Sequence, residues 1–486
     1  MNRTLTLAWL FATAVFAVAA DNVPPAGFTA LFNGKDLSGW YGWGTKDPSQ
    51  LWQMTPDQLA DYKRKSVEGG LPVPKAGPEH INAHWSVANG ELINDGKGLY
   101  LTTDKDYGDF ELRVEYKALP DGDSGIYLRG IPQVQIWDTT KGDPRGLGQD
   151  KGSGGLWNNS KGAPGKDPSK KMDRPFGEWN SFVIKMIGER VTVIFNGEKV
   201  VDHAVLENYF ANQKAGYVAF AKSPAPTAAK KDAKKDAKSA AKAPNGFMRD
   251  PAFPKGPIQL QTHGSEIRWR NVFIREIGAE EANRELAARS GDAGFVELVN
   301  GRDLSNWQGA VDSYEVKNGA IVCRPGKGGD LLTKEEFQNG IIRTEFRLPP
   351  AGNNGIVLRT PADGKSSVDG LEIQILDSDG YNARQAAAGK PGLLPYQYHG
   401  SLYFCAPAKH GYLRPTGEWN YQEIEVQGQK IKVTLNGTKI LDVDIDTFDR
   451  SQIAKAPKGL DRAKGFIGFA GHSDPVEFRS FKVKRL

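Results

Sequence analysis

The sequence predicts an all-β protein built from two tandem antiparallel β-sandwich domains of jelly-roll type. Three observations predict it. The first is a repeat: FELRVEYKALPDGDSGIYLRGIPQVQIWD at Phe110–Asp138 returns at Ile341–Asp377 as IIRTEFRLPPAGNNGIVLRT, ten residues that make the second copy nine longer here, and LEIQILD. Arg113, Glu115, Gly125, Ile126, Leu128 and Arg129 match Arg343, Glu345, Gly355, Ile356, Leu358 and Arg359 without a gap, and Gln135 and Asp138 then match Gln374 and Asp377. The second is composition, in which 56 Gly and 29 Pro among 486 residues punctuate short runs of Val, Ile, Phe, Tyr and Trp, with little long amphipathic periodicity. The third is alternation, as in HWSVANGELIND (His84–Asp95) and SYEVKNGAIVCR (Ser313–Arg324), which turns one face to a core and one to solvent.

Residues 1–20, MNRTLTLAWLFATAVFAVAA, place one arginine ahead of an apolar run ending in Val18-Ala19-Ala20, the pattern of a signal peptide cleaved near Ala20. The run is shorter than the roughly 20 residues of a bilayer span, so export to an envelope or extracellular space without a membrane span is expected. The first domain, residues 21–277, opens with GFTALFNGKDLSGW at Gly27–Trp40, and the second, residues 294–486, with GFVELVNGRDLSNW at Gly294–Trp307. Each is a β-run turning at Asn-Gly into a tryptophan. The offset between matching residues then falls from 267 to 229 by Gly90 and Gly319, so the first copy carries 38 extra residues between Tyr41 and Ala83. PDQLADYKRK within them predicts a short helix, expected at a sheet edge or at the rim of a site.

Gly-rich segments follow the central stretch, GSGGLWNN at Gly152–Asn159 and YHGSLYFCAP at Tyr398–Pro407, and then GEWN at Gly177–Asn180 and Gly417–Asn420. Two strands closed by an Asn-Gly turn come next in both copies. The first copy holds 31 more residues between Asp202 and Gly256, mostly an Ala/Lys/Pro tract at 221–246 whose low complexity predicts a disordered surface loop inside the domain. The copies close on GPIQLQTHGSEIRWRNVFIREI (Gly256–Ile277) and GFIGFAGHSDPVEFRSFKVKRL (Gly465–Leu486), and residues 278–293 between them read as a short helical linker.

The formal net charge is +5, and the 221–246 tract, with seven Lys and two Asp, accounts for all of it. The remaining chain is balanced, which argues against a nucleic-acid surface, since such domains cluster basic residues on one face. Cys323 and Cys405 both lie in the second copy, where one internal disulfide or two buried thiols fit equally well.

Taken in order through both copies, the motifs NGxDLsgW, WxVxNGeL, SGIyLR, VQIwD, GEWN, NGxK and LQtHGxxIRWRN resemble the 3-keto-disaccharide hydrolase family. The resemblance implies a concanavalin-A-like lectin/glucanase jelly roll and action on glycosides whose sugar carries a ketone at carbon 3, so the implied partner is a carbohydrate.

An ordinary glycosidase needs two carboxylates roughly 5–9.5 Å apart. The corresponding strand offers Gln133 and Gln135 on one face in the first copy and Glu372 and Gln374 in the second, so the pair is missing. Asp138 and Asp377 stand an odd number of residues along, on the other face or beyond the strand end. A 3-keto sugar asks for less. Its ketone acidifies the hydrogen on carbon 2, and one base with a group to hold the enolate oxygen lets the carbon-1 substituent leave by elimination before water adds back.

His263 and His472 occupy one position in the two copies and suit proton abstraction near neutrality, or else serve as structural hydrogen-bonders. Asp138, Asp377 and Glu372 are the candidate catalytic carboxylates. Arg129, Arg359, Gln135, Gln374 and Trp157 are candidates for holding the sugar, although the arginines could instead pair with Asp138 and Asp377 to lock strands. His399 and His410, present only in the second copy, could add ligands there. A divalent ion could stabilise developing negative charge, and no ligand set for one is legible. The rival reading is a non-catalytic, lectin-like carbohydrate-binding protein on the same sandwich.

Overall fold

The computed structural model describes residues 21–71, 79–213, 249–453 and 455–486. The segment read as a signal peptide and the 221–246 tract lie outside these residues. In the first copy the larger sheet runs in spatial order Glu198–Val205, Arg190–Phe195, Asn180–Ile187, Phe110–Ala118, Ile267–Glu276, Glu91–Asn94 and Trp85–Ala88, with Thr29–Ala30 beside Ile267–Glu276. The smaller sheet runs Trp40–Trp43, Tyr100–Thr103, Gln259–Leu260, Asp123–Leu128 and Ile131–Trp137. The second copy repeats both orders, its smaller sheet being Trp307–Gly309, Gly328–Thr333, Phe466–His472, Asn353–Thr360 and Leu371–Leu376. All pairings are antiparallel, so the chain is two β-sandwiches in tandem.

Local chemistry explains the hairpins. At Asn196-Gly197 both residues have positive φ, 49° and 89°, and at Asn436-Gly437 they have 50° and 81°. Left-handed pairs of this kind twist with the strands they join, and Asn and Gly adopt them at least cost. In Arg190–Phe195 the apolar residues Val191, Val193 and Phe195 point inward. Tyr116, Phe182 and Phe195 stack in the first core, with Phe182 and Phe195 centroids 4.4 Å apart. Phe469 fills the second, 4.0 Å from Phe478 and 5.0 Å from Trp307. Each such ring contributes about 1.5–3 kcal/mol by leaving water.

The 38-residue insertion forms a helix at Pro56–Glu68, begun by a capping box between Thr55 and Gln58. It lies on the edge strand Trp40–Trp43. The Gly42 amide donates to Ser66 Oγ at 2.9 Å, Tyr62 OH donates to the Gly42 carbonyl at 2.9 Å, and Tyr41, Trp43 and Leu51 pack with Leu59 and Tyr62. An edge that would expose unpaired backbone is thereby covered.

A helix at Ala279–Ser290 joins the sandwiches and packs Ala282 and Leu286 against Ile187 and Ile277 of one and Tyr421 of the other. Asn283, 1% exposed, donates to Glu345 Oε2 at 2.9 Å and to the Trp419 carbonyl, and accepts from Arg414. Nearby, the turn at Gly188 touches the Asn436-Gly437 turn so closely that a Cβ on Gly188 would sit 2.5 Å from the Asn436 carbonyl oxygen.

Candidate functional site

The smaller sheet turns Ile126, Leu128, Val134 and Ile136 into the first core, so the two-residue period sends Asp123, Gln133, Gln135 and Trp137 to its outer face. Tyr100, Gln259, Gln261 and His263 join them from neighbouring strands. There His263 Nδ1 lies 3.1 Å from Asp123 Oδ2, and Gln135 Nε2 donates to Asp123 Oδ1 at 3.0 Å. The bond to Asp123 raises the His263 pKa above its ordinary value against a smaller opposing effect of burial. Thr45, from the insertion, bridges the hydroxyls of Tyr127 and Tyr100 at 2.9 and 3.0 Å. The Oε1 atoms of Gln133, Gln259 and Gln261 are buried without a hydrogen-bond partner.

On the second copy the same face carries Asp330, Glu372, Gln374 and His472. Glu372 is 3% exposed and its Oε1 lies 3.5 Å from Nε2 of the far more open His472. That contact is the largest cause of a raised His472 pKa, with burial opposing it. Glu372 can lie flat on the sheet because its neighbour is Gly355, where a Cβ would sit 2.6 Å from Glu372 Cγ. Gly125 makes the same room for Gln133, at 2.6 Å from Oε1. Asp330, in register with Ala470 two residues before His472, accepts from the Ser366 amide and hydroxyl at 2.7 and 3.0 Å. Burial, the foremost cause, and the charge of Glu372 push its pKa up while Ser366 pulls it down.

The two faces therefore keep a histidine–carboxylate pair by exchanging its acid. The first copy has Asp123 and Gln133 where the second has Asn353 and Glu372. Only the second adds Asp330, where the first has Tyr100.

Several expected site residues stand elsewhere. Asp138 and Asp377 lie just past their strands and hold loops: Asp138 accepts from the Asp121 and Thr140 amides, and Asp377 accepts from the Ala351 amide and caps the helix Ser378–Ala387 through the Gly380 amide. Arg129 is 1% exposed, with donors spent on the carbonyls of Gly108, Gly188 and Phe253 and on Asp109. Arg359 bonds Gln429 and the Gly428 carbonyl. Neither arginine pairs with Asp138 or Asp377, and neither reaches the outer face. Asp138, Asp377 and Arg129 sit just past strand ends and Arg359, within Asn353–Thr360, bonds the Gly428 carbonyl; in each case orphaned backbone groups of a turn or loop find a partner.

Gln135 and Gln374 are on the face. Trp157 stands at its margin, on a loop that pairs with Ile131–Trp137, its ring edge-on to Trp137 with centroids 5.8 Å apart. His399 is buried between the Leu376 amide and Gln422, and burial lowers its pKa to about 3, so it is a core residue; His410 packs on Tyr398. Cys323 and Cys405 are free and buried. Among the described residues, no group of three or more His, Cys, Asp or Glu is disposed to hold a metal ion. No helix among them is long and apolar enough to cross a membrane.

Asp123, Asp330 and Tyr100 escaped sequence reasoning. The two-residue period could have placed Asp123, two positions before Gly125; Asp330 has a tyrosine as its counterpart and carries no repeat signal.

A family profile described as "3-keto-alpha-glucoside-1,2-lyase-like domain" matches residues 27–275 and again 294–484. A relative called 3-keto-disaccharide hydrolase, from Bacteroides thetaiotaomicron, is 26% identical over 233 residues, covering 40% of this chain and 79% of that protein. A crystal structure from Parabacteroides distasonis, described as a candidate glycosyl hydrolase, is 25% identical over 40% of this chain and 94% of its own, with a TM-score of 0.36. The carbohydrate-binding module CBM66 from Bacillus subtilis is 13% identical over 39% of this chain and 94% of its own, with a TM-score of 0.20.

Proposed function

The chain belongs to the 3-keto-alpha-glucoside-1,2-lyase-like domain family, a carbohydrate-hydrolase-like group, and on that premise we propose that it is an exported enzyme cleaving 3-keto-glycosides on the outer face of its second sandwich. The observation that carries the reading is the convergence of His472, Glu372 and Asp330 on one sheet face. Glu372 faces Nε2 of His472, which orients the ring and leaves Nδ1 as the base for the carbon-2 proton. The electron pair moves to the ketone oxygen as an enolate, then returns to form the C1–C2 double bond as the C1–O bond breaks. Asp330, its pKa raised, gives its proton to the departing oxygen. Water added across the double bond completes net hydrolysis. The leader-like residues 1–20 support export.

One feature favours a second role for the first sandwich. Its face holds three partnerless amide oxygens and lacks a counterpart of Asp330, which suits holding a sugar more than protonating a leaving group.

Both readings meet one assay, release of free 3-keto sugar from 3-keto-trehalose with and without chelator. His472→Ala and Asp330→Asn should each lower kcat/KM by about 100-fold or more, the usual worth of an acid or base, and His263→Ala by far less. Wild-type rates in both His472→Ala and Asp330→Asn would sink the assignment, and equal losses in the two histidine variants would end the division of labour. Release that stops on chelation would add a metal to the site.

A further inference from the structure

The groove between the sandwiches encloses about 660 Å³, within the range of small-molecule sites. The first sandwich contributes Trp52, Asp106 and Lys255 to its walls, and the second Tyr412, Arg414 and Glu418. Trp52 is 44% exposed, unusual for so large an apolar side chain, yet it is fixed in place. Its Nε1 donates to Asp106 Oδ2 at 2.9 Å, and its ring meets Phe253 edge-on with centroids 5.1 Å apart. Holding one edge of an indole while leaving much of its surface open is what a stacking platform requires.

Both walls carry unspent polar atoms. The Arg414 side chain is 10% exposed; Nη1 is used by Asn283 and the Trp419 carbonyl, whereas Nη2 is buried with no hydrogen-bond partner and lies 3.9 Å from Asp109. A buried guanidinium nitrogen left without an acceptor is costly unless something enters to supply one. Lys255 and Glu418 make no ion pair with another described residue. Acids and bases alternate along the walls, so no single sign of charge selects an ionic ligand. An aromatic platform with dispersed donors and acceptors instead matches a neutral polyhydroxylated ring, its C–H face on Trp52 and its hydroxyls toward Arg414, Lys255 and Glu418. A second cavity of about 650 Å³ shares Pro254 and Tyr412 with the first, which lengthens the groove enough for further rings.

We infer that the groove between the two sandwiches is a binding site for neutral oligosaccharide, separate from the outer sheet faces and closed by both domains together. It goes beyond the proposed cleavage and does not require it. The test is calorimetric titration of the full chain with two unoxidised probes, trehalose and maltotetraose. At least one should bind the wild type; Trp52→Ala and Lys255→Met should weaken that binding tenfold or more, and Asp330→Asn should leave it within twofold. Lys255→Met touches no core contact and keeps the test valid should Trp52→Ala fold poorly. Absence of binding by either probe overturns the inference, as does wild-type affinity in Lys255→Met or loss in Asp330→Asn, which would put the sugar on the sheet face. Cleavage of 3-keto-trehalose by these same variants is read separately, so failure of the groove is distinguishable from failure of the catalytic reading.

Discussion

At the scale of single residues, the His472–Glu372 pair makes opposite demands on activity and on stability. The bond to Glu372 raises the histidine pKa above 6.5. A raised folded-state value means stability that is fully present below the unfolded pKa and is lost as pH rises through the folded one. A base, however, works only when neutral, so kcat/KM should climb across the window in which the pair's stabilisation fades. Glu372→Gln removes the foremost cause of the shift and should move the acid limb of the pH–rate profile to lower pH, with a lower plateau because the ring is less well oriented. An acid limb that stays in place would mean that another group titrates. The site's legibility divides along the same residues. Glu372, Gln374 and the histidines were readable from the two-residue period and the repeat. Identity between the copies misled at Arg129, Arg359, Asp138 and Asp377, because turns and buried guanidiniums demand the same residue wherever the fold is repeated. Asp123 and Asp330 differ between copies, and chemistry that differs leaves no repeat to notice.

At the scale of elements, the helix Pro56–Glu68 was legible as a helix because Thr55 and Gln58 cap it and Pro56 opens it, all local signals. Its seat was legible only as a choice between a sheet edge and the rim of a site. That seat depends on the backbone of Gly42 meeting Ser66 and Tyr62, contacts set by a fold in which the strand Trp40–Trp43 happens to be an edge. The two kinds of contact should differ in worth. Thr55→Ala loses a cap, about 1 kcal/mol. Ser66→Ala leaves the Gly42 amide without its acceptor in a fully buried place, at a cost of about 1–3 kcal/mol, and frees the edge strand as well. Urea unfolding of the two variants should rank Ser66→Ala as the more damaging, and hydrogen exchange should show the helix opening in both. Equal, negligible effects would mean that packing by Leu59 and Tyr62 alone holds the insertion.

At the scale of the whole molecule, two sandwiches with separate cores would ordinarily unfold separately, since each buries its own apolar surface. Here specific contacts join them. The helix Ala279–Ser290 lays Ala282 and Leu286 across the seam, Arg479 grips Glu280 through both guanidinium nitrogens at 2.9 and 2.8 Å, and Asn283 satisfies Glu345, Trp419 and Arg414 at once. Removing the Asn283 amide breaks three hydrogen bonds at the seam, leaving Glu345 Oε2 to Arg479 alone and Arg414 Nη1 to the Trp419 carbonyl alone. Asn283→Ala should therefore cost about 1–3 kcal/mol of coupling while leaving both cores intact. In calorimetry the wild type should melt as one transition and Asn283→Ala as two, with the loss of coupling greater than that of Glu280→Ala, whose carboxylate is half open to solvent and screened. A single, unshifted transition in Asn283→Ala would show that Ala282 and Leu286 carry the seam alone.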